Sequence, residues 1–175
     1  SEADRAQDFA ATMRVYNLLA DMSYDVDSIN AVRAALLERA EQAGKDAALA
    51  KRLTELAGTV EEMRKKIVAT TEGGAVTGEE RIREKTTQLY GELNNYEGKP
   101  AEYQVARIDS LTKELKDVTN GFDALVEKEL AGVNKTMKAK KLAEIHPPTR
   151  AQWDAATSEG GVPGGAGSHL FWERD

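Results

Sequence analysis

A chain of 175 residues with 41% hydrophobic side chains is long enough to bury the core of one domain. Its 24 basic and 30 acidic residues leave a formal charge of −6, which opposes a phosphate backbone unless the cations gather in one patch. The lack of cysteine excludes disulfides and thiolate metal sites, and no stretch approaches the ~20 apolar residues that a membrane-spanning helix requires.

Helical periodicity starts almost at Ser1, as in a segment cut from a longer polypeptide. The first helix is predicted from about Glu2 to Ala43. Its stripe is Phe9, Met13, Tyr16, Leu19, Met22, Val26, Ile29, Val32, Leu36 and Ala40. The weak helix formers around Ser23 to Asp27 mark a place for a kink, and Gly44 suits a C-terminal cap. The second helix, from about Asp46 to Thr70, repeats apolar residues at Leu49, Leu53, Leu56, Val60, Met63 and Ile67. Alternating steps of four and three put these on one narrow seam, the pattern of a bundle or coiled coil.

Gly73 and Gly74 break this helix, and Thr77 with Glu80 reads as a capping box that starts the third. That helix uses Ile82, Leu89 and Leu93, with Tyr96 as a further candidate, and stops near Gly98. Pro100 fits the first turn of a fourth helix reaching about Lys141. Its seam is Ile108, Leu111, Leu115, Val118, Phe122 and Leu125, then shifts by one residue to Leu130, Val133 and Met137. Gly121 and Gly132 flank that shift, which predicts a bend. Pro147 and Pro148 end helical structure, and Thr149 to Asp154 suits one short capped turn. Gly160 to Gly167 is glycine-rich, and Leu170-Phe171-Trp172 is apolar in a place where solvated side chains are expected.

These elements predict an all-α, elongated antiparallel four-helix bundle over residues 1–145, with helices 1 and 4 long and 2 and 3 short. Residues 146–175 form an irregular, Pro/Gly-rich tail. At 1.5 Å per residue the long helices span roughly 60 Å and the short ones about 30 to 40 Å. In up-down-up-down order, helices 1 and 4 then outrun the others at the end holding both termini. The apolar residues of that two-helix arm are Phe9, Met13, Tyr16, Leu130, Val133 and Met137. Two helices cannot bury such a stripe, so it is expected to be an interface. Trp153, Phe171 and Trp172 are candidate docking anchors.

No residue pattern points to catalysis or to a cofactor. His146 and His169 both lie in the tail, without the helical spacing of a metal site. Gly73-Gly-Ala-Val-Thr-Gly78 has the glycine spacing of a phosphate loop, but Glu79 and Glu80 stand where lysine and a hydroxyl are required. The pairs Asp25/Asp27 and Glu61/Glu62 are expected on solvent faces, away from the desolvated pocket that acid–base chemistry needs. The basic run from Lys135 to Lys141 falls at a helix C-terminus, where cations complement the dipole. An amphipathic lipid-surface bundle is an alternative, although its polar faces would be lysine-rich, and here both signs mix.

Val76-Thr-Gly-Glu-Glu80, Ile82-Arg-Glu-Lys-Thr-Thr-Gln-Leu-Tyr-Gly91 and Asn95-Tyr-Glu-Gly-Lys-Pro100 form a distinctive set. With Gln104-Val-Ala-Arg-Ile-Asp-Ser-Leu111, Phe122-Asp-Ala-Leu-Val-Glu-Lys-Glu-Leu130 and Thr149-Arg-Ala-Gln-Trp153, the set resembles the C-terminal helical region of large bacterial sortilin-like proteins with BNR repeats. Such proteins are often labelled glycosyl hydrolases of the BNR type, and their repeats form β-propellers. The resemblance implies a non-catalytic module of an exported protein, either periplasmic, cell-surface or extracellular. Its partner would be a propeller domain or another copy of the chain. A further alternative is an accessory part of a glycoside-processing enzyme whose active site lies elsewhere, because no Asp-box repeat is present here.

Overall fold

Several helix ends lie where side chains or left-handed residues satisfy backbone groups that the helix leaves unpaired. The structure is a computed structural model and describes residues 1–70, 79–95 and 98–158. Helix α1 (Glu2–Gln42) is closed by Gly44, whose φ of 55° suits a residue without a Cβ. Helix α2 (Ala47–Ile67) begins at Asp46, whose carboxylate accepts from the Leu49 amide at 3.1 Å. Helix α3 (Ile82–Asn94) starts later than Thr77 and Glu80 predict: Glu79 to Arg81 are not helical, and the Glu84 carboxylate accepts from the Arg81 amide at 3.0 Å. Thr77 itself lies outside the described residues, as do the phosphate-loop-like glycines and Tyr96.

Helix α4 (Glu102–Leu125) follows a buried Pro100 and places its whole predicted seam in the core. One π-helical turn (Val126–Leu130) joins it to α5 (Ala131–Ala139), where the bend was expected. The seam steps by five residues from Leu125 to Leu130, and the wider turn absorbs the extra residue so that Leu130, Val133 and Met137 still face inward. The α5 terminus carries Lys141 at φ 60°, with Lys141 N–H on the Lys138 carbonyl and Leu142 N–H on that of Met137. This is a Schellman closure with lysine at the position glycine prefers.

The all-α bundle, with two long and two shorter main helices, stands as the sequence predicts. The directions differ from an up-down-up-down order. Arg14 pairs with Asp109, Thr119 bonds Asp25 at 2.6 Å, and Arg39 donates to the Ala143 carbonyl at 3.1 Å. These contacts climb both chains together, so α1 runs in the same direction as α4 and α5. Helices α2 and α3 both run against them, end to end. The Glu84 carboxylate of α3 accepts from Ala69, just past α2, at 3.2 Å, while Asn94 and Gly98 lie beside Arg5 and Phe9. Helices of 21 and 13 residues thus line most of the 41-residue α1.

No two-helix arm forms in this arrangement, which corrects half of the predicted interface. Leu130, Val133 and Met137 are buried core residues near the C-terminal end of α1, where Arg52 of α2 lies beside Gly132. The core seam of α1 is Ala11, Val15, Leu18, Met22, Asp25, Ile29, Val32 and Leu36, in unbroken steps of four and three. The helix also runs without interruption through Ser23 to Asp27, where a kink was predicted.

Beyond α5 the chain turns back along α1. Asn134 bonds both backbone groups of the buried Ile145, at 2.8 and 2.9 Å, and Tyr24 donates to the Pro148 carbonyl at 2.9 Å. The turn predicted at Thr149 to Asp154 is the start of a longer helix, α6 (Arg150–Ser158), with Thr149 and Gln152 capping one another.

Candidate docking interface

An α-helix returns to the same face every three to four residues, so one helix can carry two separate seams. The core seam of α1 occupies one face. On the opposite face, Ala6, Phe9, Met13, Tyr16 and Ala20 repeat at steps of three and four, with Ala10 and Asn17 alongside. Phe9 is 68%, Met13 37% and Tyr16 54% exposed. This face carries no charge from Ala6 to Ala20, in a chain where 31% of residues are charged. Two bordering charges are engaged inside the chain: Arg14 with Asp109, and Asp21 with Arg150 at 2.8 Å.

Phe9, Met13 and Tyr16 therefore stand exposed, as the sequence predicts, but without Leu130, Val133 and Met137 beside them. Three exposed side chains of this size amount to roughly 300 Å² of apolar surface. That approaches the largest patch on an ordinary monomer, which is often functional. Phe9 also borders a shallow hollow of about 390 Å³ with Arg5, Asp8, Thr12, Asn94 and Gly98.

Farther along α1, the side chain of Tyr24 and that of Asp27 are covered by α6. Trp153 packs edge-on against Tyr24 at 5.9 Å between ring centroids, and its Nε1–H donates to Asp27 at 2.8 Å. The Arg150 guanidinium lies 5.2 Å from both ring centres and bonds Asp21 and Asp154. Trp153 is thus an anchor within the chain. The other predicted anchors, Phe171 and Trp172, lie outside the described residues.

Asp25 and Asp27 correct the expectation of a solvent face: Asp25 is buried and Asp27 half-buried. Burial pushes the Asp25 carboxyl above the ordinary carboxylate range, the Thr119 hydrogen bond pulls it back, and Asp21 and Asp123 add to the upward push. The hollow beside Phe9 does not reach this carboxyl, and neither does one of about 250 Å³ between α3 and α4, lined by Lys85, Gln88, Leu89, Glu92, Tyr103 and Arg107. Among the described residues, no three histidine, aspartate or glutamate side chains are grouped to hold a metal ion.

The Arg150–Tyr24–Trp153 stack and the burial of Asp25 escape a reading by apolar side chains alone. The signal for Asp25 is the strict spacing from Ala11 to Leu36, which passes through it. Comparison with known proteins yields no matching family, no matching curated protein and no matching solved structure.

Proposed function

We propose that this chain is a non-catalytic interaction module that seats a protein partner on the outer face of α1. The observation that carries the reading is the uncharged second seam, with Phe9, Met13 and Tyr16 exposed along it. A helical bundle by itself implies no function. Such a seam presents knobs and holes to another packed surface, and burying it gains about 25 cal/mol per Å² before the costs of association.

The raised Asp25 carboxyl supplies no competing catalytic reading, because it is closed over by Thr119 and opens into neither hollow. A lipid surface is the poorer occupant. The four arginines of α1, Arg5, Arg14, Arg33 and Arg39, are interspersed with acidic residues. Arg14, Arg33 and Arg39 are paired with Asp109, Glu61 and Glu38, whereas interfacial helices present free cations to anionic headgroups. The resemblance to sortilin-like BNR-repeat proteins supports an exported parent, with a β-propeller domain or a second copy as the partner. Any hydrolase activity of that parent belongs to the propellers.

Radical footprinting tests the reading, comparing the purified chain at low concentration with the protein in whole cultures of the cells that make it naturally, envelope and medium included. Phe9, Met13 and Tyr16 should oxidise readily in the dilute chain and be protected in the culture. Equal oxidation in both settings removes the docking reading.

A further inference from the structure

We infer that the occupant of the outer seam is a second copy of this chain, its α1 laid antiparallel on the first about a two-fold axis near Met13. The inference rests on the reading of that seam as a docking face and names its partner. Three observations lead to it.

The seam is close to symmetric about its own middle. Ala6 and Ala20 lie seven residues either side of Met13, and Phe9 and Tyr16 lie four and three away. Reversing the helix therefore sets aromatic residues beside aromatic residues and alanine near alanine, with Met13 in the centre. An isologous pair needs this self-complementarity.

The position of α6 selects the direction. This helix sits on α1 at Tyr24 and Asp27, immediately beyond the bare stretch. In a parallel pair both copies of α6 would meet at the same level and hold the seams apart. Reversed, each α6 lies beyond the end of the shared stretch.

Charge does not oppose the contact. The face is neutral from Ala6 to Ala20, and Arg14 and Asp21 at its borders are paired within their own chain. Reversal about Met13 sets Arg5 of each copy level with Asp21 of the other. Two copies meet without bringing unpaired like charges together. The area sets the strength. Two faces of roughly 300 Å² fall well short of the ~1,200 Å² at which stable interfaces begin. The pair is therefore weak, and concentration-dependent over micromolar to millimolar protein.

Single cysteines test this in a chain that has none. Met13→Cys should be joined to itself by a short thiol cross-linker, whereas Ala6→Cys and Ala20→Cys should each fail alone and join when mixed. Light scattering on the full 175-residue chain should show mass rising above 19.1 kDa with concentration, and Tyr16→Glu should weaken association at least tenfold. A monomer at every concentration, with no link through position 13, overturns the second copy as occupant. Self-linking at Ala6→Cys overturns the antiparallel arrangement. Association that appears only after removal of residues 159–175 shows that those residues occupy the seam instead. Protection of Met13 in whole cultures alongside a strictly monomeric purified chain overturns this inference while keeping the docking reading.

Discussion

The Thr119 hydroxyl donates to Asp25 over 2.6 Å, tying α4 to α1 through a carboxylate that holds a core position of the first helix. The same hydroxyl contacts the Leu115 carbonyl at 3.0 Å, so Thr119 keeps a partner if the carboxylate is replaced. Burial, with Asp21 and Asp123 nearby, raises the Asp25 pKa above 3.8, while Thr119 and Arg150 work against the rise.

The pH dependence follows from that direction. With the folded-state value above the unfolded one, the folded chain holds this proton more tightly. The contribution of Asp25 to stability is most favourable when it is protonated, and is lost as pH rises from about 3.8 through the raised folded value. Asp25→Asn keeps an acceptor for Thr119 and removes the buried charge. At neutral pH it should stabilise the chain by on the order of 1 kcal/mol and flatten the dependence across that window. Urea unfolding at several pH values reads this directly; a lower midpoint for the variant at neutral pH would contradict it.

The π-helical turn at Val126–Leu130 makes a prediction opposite to the usual effect of a deletion. Removing Lys128 takes out the surplus residue, leaving a four-residue step from Leu125 to Leu130 that an α-helix accommodates. The variant should stay folded, with midpoint stability within about 1–2 kcal/mol of the parent. Removing Lys116 has no surplus to absorb it and rotates Val118, Phe122 and Leu125 off the core. That variant should lose cooperative unfolding, as followed by circular dichroism.

The seams of α2 and α4 were legible because large apolar residues mark every step from Leu49 to Ile67 and from Ile108 to Leu125. The first helix was harder. It carries two seams, and the larger side chains, Phe9, Met13 and Tyr16, stand on the exposed one while Ala11 stands in the core. Following bulk crosses from one seam to the other near Met22. Following strict spacing stays on the core seam but must accept Asp25, whose burial depends on Thr119 some 94 positions away. Helix direction was not legible for a related reason. The Glu84 and Glu79 carboxylates bond the amides of Ala69 and Thr70, so the chain leaving α2 feeds α3 onward rather than back. No local spacing announces that pairing, and with it fell the predicted arm and the exposure of Leu130, Val133 and Met137.

The left-handed Lys141 is a second place where local chemistry and backbone disagree. Its φ of 60° brings the Cβ of an L-residue close to the following carbonyl, a cost that glycine avoids. Because the residue is exposed, Lys141→Gly sacrifices no packing. The variant should gain roughly 0.5–1 kcal/mol, equivalent to a rise of about 1–4 °C in Tm. Calorimetry checks it, and an unchanged or lower Tm would mean that the closure tolerates lysine without strain.

The last helix should separate from the bundle without unfolding it. None of the residues of α6 is buried, and its hold on α1 consists of the Arg150 stack, the Trp153 Nε1–H bond to Asp27 and surface ion pairs. Exposed cation–π contacts contribute about 0.5–1 kcal/mol each, and exposed ion pairs up to about 1 kcal/mol. Arg150→Ala removes both ring contacts and the Asp21 pair together. Amide exchange over residues 150–158 should then accelerate tenfold or more, while the core amides of α2 and α4 exchange as before. Arg150→Lys keeps the charge but loses the planar fork that spans Tyr24, Trp153 and Asp21, so it should recover only part of the protection. If exchange in α2 and α4 rose equally, α6 would be part of the cooperative core rather than a helix laid upon it.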